Sequence, residues 1–419
     1  MADIVLKGNT SGEITITSPD VSGVNVLTLP VETGTILTTN TPLPEVSSVE
    51  FAGAGTSSGN ITITAPDTDE TNTLTFPETT GTFAVEKSLG MRNLIINGNM
   101  AIAQKATSVT GITTGGGYLT VDRWKTVLST AGTWTQTQDT DVPTGQGFAT
   151  SLKMDCTTAN ASLSAGSYAL SIQYIEGFNC QQLGFGTANA KSITMSFWVK
   201  SNKTGTYIFD LRNLDADRLI SQAYTISSAD TWEKKTLTFA GDTAGAINND
   251  NGIGLQCSFW FSSGSDYASG TLQTSWGAHN ATNRAVGQVN LADSTDNYIN
   301  ITGVQLEANT TATPFETLMY SEQLALCQRY YEVLLTPSVG IGILSAPLTG
   351  VVSASWCTWF FKQDKRAVPT FSLGSTLAWI NSTPTVYAGY SSVNFNSTNY
   401  FYAGSGTADT PSLIANAEL

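Results

Sequence analysis

Residues Tyr298–Tyr331, YINITGVQLEANTTATPFETLMYSEQLALCQRYY, decide how the rest of the chain is read. Ile299 and Ile301 alternate with polar neighbours, the period of a half-buried strand. At Gly303 the phase slips, and Val304 and Leu306 continue the apolar face. A glycine at a phase slip predicts a β-bulge. Asn309–Thr313 is a polar turn, and Pro314 disfavours helix just before it. Ser321 reads as a helix N-cap, with Glu322 in the first turn, where the helix dipole favours negative charge. Leu324, Cys327, Tyr331 and Leu334 fall three or four residues apart, which predicts one apolar face on a linking helix over residues 317–336, stopped by Pro337. The sequence on both sides reads as β, so this is expected to be the one substantial helix.

Working outward, residues 1–90 contain a duplication. Gly12–Asp20 (GEITITSPD) matches Gly59–Asp67 (GNITITAPD), Leu27–Pro30 matches Leu74–Pro77, and Thr33–Thr35 matches Thr80–Thr82, all at an offset of 47 residues. A constant, ungapped offset marks a repeat and not a shared composition. Each copy predicts two or three short strands broken by Pro-Asp and Pro-Glu turns, with too few apolar residues for a private core. Such units are expected to pack against copies in other chains; an independent small β domain is the other reading. Residues 91–316 form the largest unit. Ile193, Met195, Phe197 and Val199 alternate with Thr194, Ser196 and Trp198; Tyr207, Phe209 and Leu211 repeat the pattern; Leu255, Cys257, Phe259 and Phe261 alternate with Gln256, Ser258 and Trp260. Period two between Gly- and Asn-rich turns predicts a two-sheet antiparallel sandwich. Residues 337–419 read as a small C-terminal β domain with a Tyr-, Ser- and Asn-rich stretch from Tyr387 to Tyr402. The fold class is therefore all-β.

Only 12% of the 419 residues are charged, 38 are glycine, and the net charge is −14, which fits β-rich extracellular-type surfaces and excludes a basic nucleic-acid-binding protein. The five cysteines, Cys156, Cys180, Cys257, Cys327 and Cys357, are scattered without a C-x-x-C pair, so neither a disulfide framework nor a zinc site is expected. Cys257 is in phase with Leu255 and Phe259 and reads as a core residue. The start, MADIVLKGNT, has neither the basic nor the apolar region of a signal peptide, and no apolar run is long enough for a membrane helix. No membrane insertion is expected.

The opening stretch also carries a resemblance. Gly303–Glu307 (GVQLE), Thr313–Glu316 (TPFE) and Glu322–Tyr331 (EQLALCQRYY) resemble a segment recurrent in bacteriophage tail-fibre and virion-fibre proteins, where it closes a carbohydrate-binding-module-like jelly roll. Ala103–Ser108 and Asp122–Trp124 resemble the start of the same jelly roll, except that Lys105-Ala106 stands where Arg-Gly is expected. Lys362–Thr370 and Ala415–Leu419 resemble phage-fibre C-terminal domains. The resemblance implies a virion protein, assembled in the host cytoplasm. Its N-terminal repeats would anchor it to a tail, neck or capsid protein, and its C-terminal domain would be a distal receptor-binding tip. It implies adhesion to host surface polysaccharide. The apolar-poor repeats and the isolated amphipathic helix both need partner surface and predict a homotrimer, with Leu324, Cys327, Tyr331 and Leu334 as the trimer stripe. A capsid- or neck-associated decorating fibre without a receptor role is the alternative, and a polysaccharide depolymerase a third class.

No enzyme is expected. His279 is the only histidine, and no G-x-S-x-G motif accompanies it, so a Ser-His-Asp triad is hard to build. A glycosidase needs only two carboxylates at a set separation, which 33 Asp and Glu residues do not exclude. Phage depolymerases usually carry parallel β-helix repeats, and none is visible here. Saccharide binding needs aromatic faces and polar side chains. Trp198, Trp232, Trp260 and Trp276 in the sandwich, with Tyr224 beside them, and Tyr387, Tyr390, Tyr400 and Tyr402 near the C-terminus are the candidates. Trp198 and Trp260 are expected to point away from the core faces of their strands. No cofactor is required; calcium is common in jelly-roll sugar modules, and Asp122, Asp210, Asp215 and Asp217 are its candidate ligands, without a D-x-D-x-D-G loop.

Overall fold

A computed structural model describes residues 91–335 throughout, together with residues 4–7, 13–16, 48–52, 60–64, 355–373, 378–380, 385–397, 402–404 and 413–419. The chain divides into two compact units, Met1–Thr82 and Phe83–Leu419. In the first, β1 (Ile4–Lys7) pairs antiparallel with β2 (Glu13–Ile16), and β3 (Ser48–Ala52) with β4 (Asn60–Thr64). Each copy of the duplicated segment thus supplies the second strand of a hairpin, Ile16 opposite Ile4 and Ile63 opposite Val49. The Pro-Asp and Pro-Glu turns of the repeat lie outside the described residues.

The second unit contains β5 (Ser108–Ile112), β6 (Gly115–Tyr118), β7 (Lys125–Ser129), β8 (Thr133–Asp139), β9 (Ser151–Thr158), β10 (Tyr168–Glu176) and β11 (Ile193–Ser201). It continues with β12 (Gly205–Asn213), β13 (Arg218–Ile226), β14 (Glu233–Phe239), β15 (Ile253–Ser263), β16 (Gly277–Ala278) and β17 (Tyr298–Glu307). These strands form two antiparallel sheets, ordered β16-β13-β12-β15-β10-β7-β6 and β14-β11-β17-β9-β8-β5. Period-two alternation turns one face of each sheet inward. Phe197 from one sheet and Phe209 and Phe259 from the other are fully buried, and their rings meet at the centre of the sandwich, 4.9 and 4.8 Å from Phe259. Each such ring contributes about 1.5–3 kcal/mol by leaving water. Cys156, Cys180, Cys257 and Cys327 are buried free thiols, and Cys257 lies in this core.

Gly303 forms the predicted bulge. Thr302 lies opposite Trp198 and Gln305 opposite Ser196, so two residues of β17 face one of β11. Gly303 has φ of +61°, and a Cβ there would stand 2.6 Å from Cζ of Phe148. The slip keeps Val304 and Leu306 in the core.

The helix differs from its expected form. Among the described residues there are three α-helices: α1 (Gly177–Cys180), α2 (Ser265–Ala268) and α3 (Tyr320–Gln328). The N-cap of α3 is Met319, not Ser321; the Glu322 carboxylate accepts the Met319 N–H at 3.0 Å. The helix ends at Gln328, eight residues short of its expected end, because two distant contacts pull the chain out of helical register. Arg329 donates to both oxygens of Glu176 at 2.8 and 2.7 Å, and Tyr330 packs 3.4 Å beneath the Arg123 guanidinium. The chain re-enters as β18 (Tyr331–Leu335). Leu324, Cys327, Tyr331 and Leu334 therefore share no helical face. Cys327, Tyr331 and Leu334 are buried within their own chain, which overturns the trimer stripe.

After β18 come β19 (Ser355–Phe360), β20 (Thr370–Leu373), β21 (Ala378–Ile380), β22 (Thr385–Ala388), β23 (Ser392–Ser397), β24 (Tyr402–Gly404) and β25 (Leu413–Asn416). They make small sheets ordered β18-β25-β20, β19-β23-β22 and β21-β24. The chain's last residues bind the sandwich directly: Glu418 pairs with Arg123 at 2.6 Å and Lys105 at 3.0 Å. Arg366 donates to the Asn251 and Ala417 carbonyls at 2.8 and 3.0 Å.

Candidate functional site

Because Ile193, Met195, Phe197 and Val199 face inward, Thr194, Ser196, Trp198 and Lys200 stand on the outer face of the six-stranded sheet. Trp198 is half-buried between Lys234 on β14 and Thr302 on β17. The same ladder ends with Val199 opposite Glu233, and Trp232 is the residue just before β14. Asp141, from the loop after β8, joins Trp232 to Lys200. Trp232 Nε1–H donates to its Oδ1 at 2.9 Å, and Lys200 Nζ donates to its Oδ2 at 2.7 Å. Burial alone would raise the Asp141 carboxyl, but the hydrogen bonds from Lys200 and Trp232 hold it below its ordinary range. On β17, Asn300 Nδ2 donates to Asp139 and to Ser151 Oγ at 3.2 and 3.0 Å, while its Oδ1 is buried without a partner among the described residues. The face thus presents two half-buried indoles, with the Asp141 carboxylate and the Lys200 ammonium beside Trp232 and the Asn300 amide buried beneath. Flat apolar surface beside fixed donors and acceptors is what a saccharide ring and its hydroxyls require.

The other candidates fall elsewhere. Trp260 does point away from the core, as expected, but it is not a surface residue. It is fully buried in a second apolar cluster with Leu170, Ile172, Ile208 and Ala285, on the outside of the seven-stranded sheet. Its Nε1–H donates to Asp210 at 2.9 Å. The chain between β15 and β17 folds back over it through Tyr267, Leu272 and Ala285. Tyr224 is buried in the main core, where its ring lies 5.0 Å from Phe197. Trp276 is half-buried, edge-on to Phe185, and donates to the Ala240 carbonyl at 2.7 Å. Tyr387 and Tyr390 are 52% and 54% exposed. Tyr400 and the side chain of Tyr402 lie outside the described residues. His279 Nδ1 is 3.7 Å from Asp217, and its Nε2 is buried without a hydrogen-bond partner among the described residues.

The four aspartates named for calcium are dispersed. Asp122 binds Gln104, Asp210 binds Arg284 and Trp260, Asp215 binds Asn248, and Asp217 binds Arg212. No group of three or more His, Cys, Asp or Glu suited to a metal ion occurs among the described residues.

No protein-family model and no curated protein matches the chain. Among solved structures it is similar to the enzymatically active domain of tailspike protein 4 of bacteriophage CBA120, at 17% identity and a TM-score of 0.28, over 52% of this chain but only 21% of that one. It is similar to a xylan-binding domain from Paenibacillus barcinonensis (14% identity, TM-score 0.25, 45% of this chain and 92% of that one). A family 11 carbohydrate-binding module from Clostridium thermocellum gives 11% identity and a TM-score of 0.24, over 48% of this chain and 100% of that one. At these TM-scores the likenesses add nothing to the sandwich already described.

Asp141, Lys200 and Asn300 carried no signal as site residues in the sequence. Lys200 was legible in principle, two residues from Trp198 on one strand and so on the same face. Asp141 was not, since its partners Lys200 and Trp232 lie 59 and 91 residues away.

Proposed function

We propose that the protein is a fibre component of a phage virion that adheres to host surface glycan without cleaving it, and that the Trp198–Trp232 face is its saccharide surface. The observation that carries this reading is that Asp141 ties Trp232 to Lys200, the next outward-facing residue after Trp198 on β11, so that both half-buried tryptophans lie on one face. The ionised state of that carboxylate suits an acceptor of hydrogen bonds from sugar hydroxyls and does not suit a general acid. A general acid for glycoside hydrolysis needs a raised pKa, and Lys200 and Trp232 hold Asp141 the other way. The exposed Tyr387 and Tyr390 are a second contact region of the same chemistry.

The virion role rests on the sequence resemblance, and self-association on the first unit. Its described strands make only two-stranded sheets, which are marginal in water without further partners. A homotrimer supplies them, with its axis along the repeats and not along α3. Incubating the protein with purified host surface polysaccharide tests the reading. Retention of the polysaccharide with no release of reducing ends is expected; reducing ends released at a catalytic rate would overturn it. A chain beginning at Met91 should still bind polysaccharide but not enter virions.

A further inference from the structure

The outer face of the seven-stranded sheet is covered over only part of its area. Within the covering segment Arg284 donates to the two oxygens of Asp210 at 2.8 and 3.3 Å and lies 4.9 Å from the Trp260 ring. At the other side the C-terminal residues close the face, where Glu418 binds Lys105 and Arg123 and Tyr118 Oη–H donates to the Leu419 carbonyl at 2.8 Å. The registers lay two rows across the floor between them: Lys125, Ile172, Ser258 and Asp210, then Tyr174, Gln256 and Arg212. Tyr118, Lys125, Tyr174 and Arg212 are all half-exposed.

Charge on this floor departs from that of the chain, whose net charge is −14. Three cations surround the Tyr118 ring: Lys105 at 5.6 Å, Lys125 at 5.7 Å and Arg123 at 5.9 Å. Glu418 pairs with Lys105 and Arg123. Asp122, buried and hydrogen-bonded by Gln104, lies on the Lys105 side. Lys125 meets no carboxylate among the described residues and lies 5.2 Å from the Tyr174 ring. Arg212 and Arg284 are matched by Asp217 and Asp210. Lys125 is therefore the cation of this floor that lacks a carboxylate partner among the described residues, and it lies beside a partly exposed phenol. Glu418 shows that a carboxylate is accommodated by the neighbouring cations of the same cluster.

We propose that this floor is a second saccharide site, taking an acidic oligosaccharide with a uronate carboxylate on Lys125, its ring against Tyr174, and further sugars toward Arg212 across the buried Gln256. Lys125 and Arg212 stand three strand spacings apart and two residues along the strands, roughly 16 Å, which is too far for one carboxylate to bridge and suits an oligomer. A single unmatched lysine is too little for nucleic acid, which needs clustered cations along a phosphate track. The inference rests on the reading of the protein as a saccharide binder, but it uses the face of the sandwich opposite to Trp198.

The test is calorimetric titration of the full chain with tetragalacturonate, a hyaluronan tetrasaccharide and an alginate tetramer, and with neutral β-1,4-galactotetraose as the control. At least one acidic tetramer should bind, more weakly as salt rises. Lys125→Gln should weaken it by roughly tenfold or more, the usual scale of a charge-assisted hydrogen bond. Tyr174→Ala should also weaken it, and in a Trp198→Ala background Lys125→Gln should still weaken it by the same factor, with thermal melting confirming that each variant is folded. Failure of all three acidic tetramers, equal binding by Lys125→Gln, or equal binding of the neutral tetramer would overturn the inference. Loss on Trp198→Ala alone would overturn it while leaving the Trp198–Trp232 reading intact. Loss on Lys125→Gln, with Trp198→Ala silent toward every saccharide, would do the reverse.

Discussion

Arg123 is fully buried, and Glu418, almost 300 residues later, is its anionic partner at 2.6 Å, with the Tyr174 carbonyl accepting a second N–H at 2.7 Å. A buried cation stripped of its partner is costly, on the order of 3–5 kcal/mol. Glu418→Ala should therefore lower the stability of the second unit by about that much, read as a lower urea midpoint, while Glu418→Gln should lose less. An unchanged midpoint in Glu418→Ala would mean that the C-terminal residues are not tied to the sandwich. His279 gives a second prediction. Burial depresses its pKa, and Arg212 and Arg284 push the same way against Asp217. Below the ordinary value of 6.5 the unfolded chain takes up a proton that the folded imidazole resists. Stability should thus fall as pH drops below that value and level off beneath the folded pKa. As the only histidine, it can be followed alone by NMR: its midpoint should lie below 6.5 and rise in Arg212→Gln. A midpoint at or above 6.5 would contradict this account of its surroundings.

At the scale of elements, β17 was almost wholly legible in its own residues. Ile299, Ile301, Val304 and Leu306 name the buried face, and Gly303 names the slip between them. Gly303→Ala forces a left-handed backbone onto alanine and drives a Cβ into Phe148. It should cost about 1 kcal/mol for the backbone alone, and more for the clash. Trimming the ring in Gly303→Ala/Phe148→Ala should return none of the backbone cost; thermal melting of single and double variants would show the two effects apart. The helix was legible only in part, because its end is not decided locally. Spacings of three and four name a helical face as far as Cys327, but Arg329 and Tyr330 leave the helix for Glu176 and Arg123, partners no local pattern reveals. Trp260 failed for a related reason. Alternation told correctly that it points away from the core, yet not that the segment between β15 and β17 would cover it. Periodicity reports which face a residue is on; what lies over that face is set by tertiary packing.

At the scale of the molecule, the sandwich offers two outer faces of different character, one carrying Trp198 and Trp232 and one carrying Lys125 and Tyr174, with the exposed Tyr387 and Tyr390 nearer the C-terminus. Weak single sites repeated on a homotrimer gain adhesion through effective concentration, without tight binding at any one of them. Light scattering should give a trimer for the full chain and a smaller species for a chain beginning at Met91; a full-length monomer would sink the assembly proposed here. The central claim, that the Trp198–Trp232 face binds saccharide, is tested most directly on a glycan array, comparing the wild-type protein with Trp198→Ala/Trp232→Ala. The account predicts that the wild type binds a defined set of glycans and that the folded double variant loses at least about tenfold of that signal, the scale of one aromatic contact region. Undiminished binding by the double variant, or a wild type that binds no glycan, would contradict it.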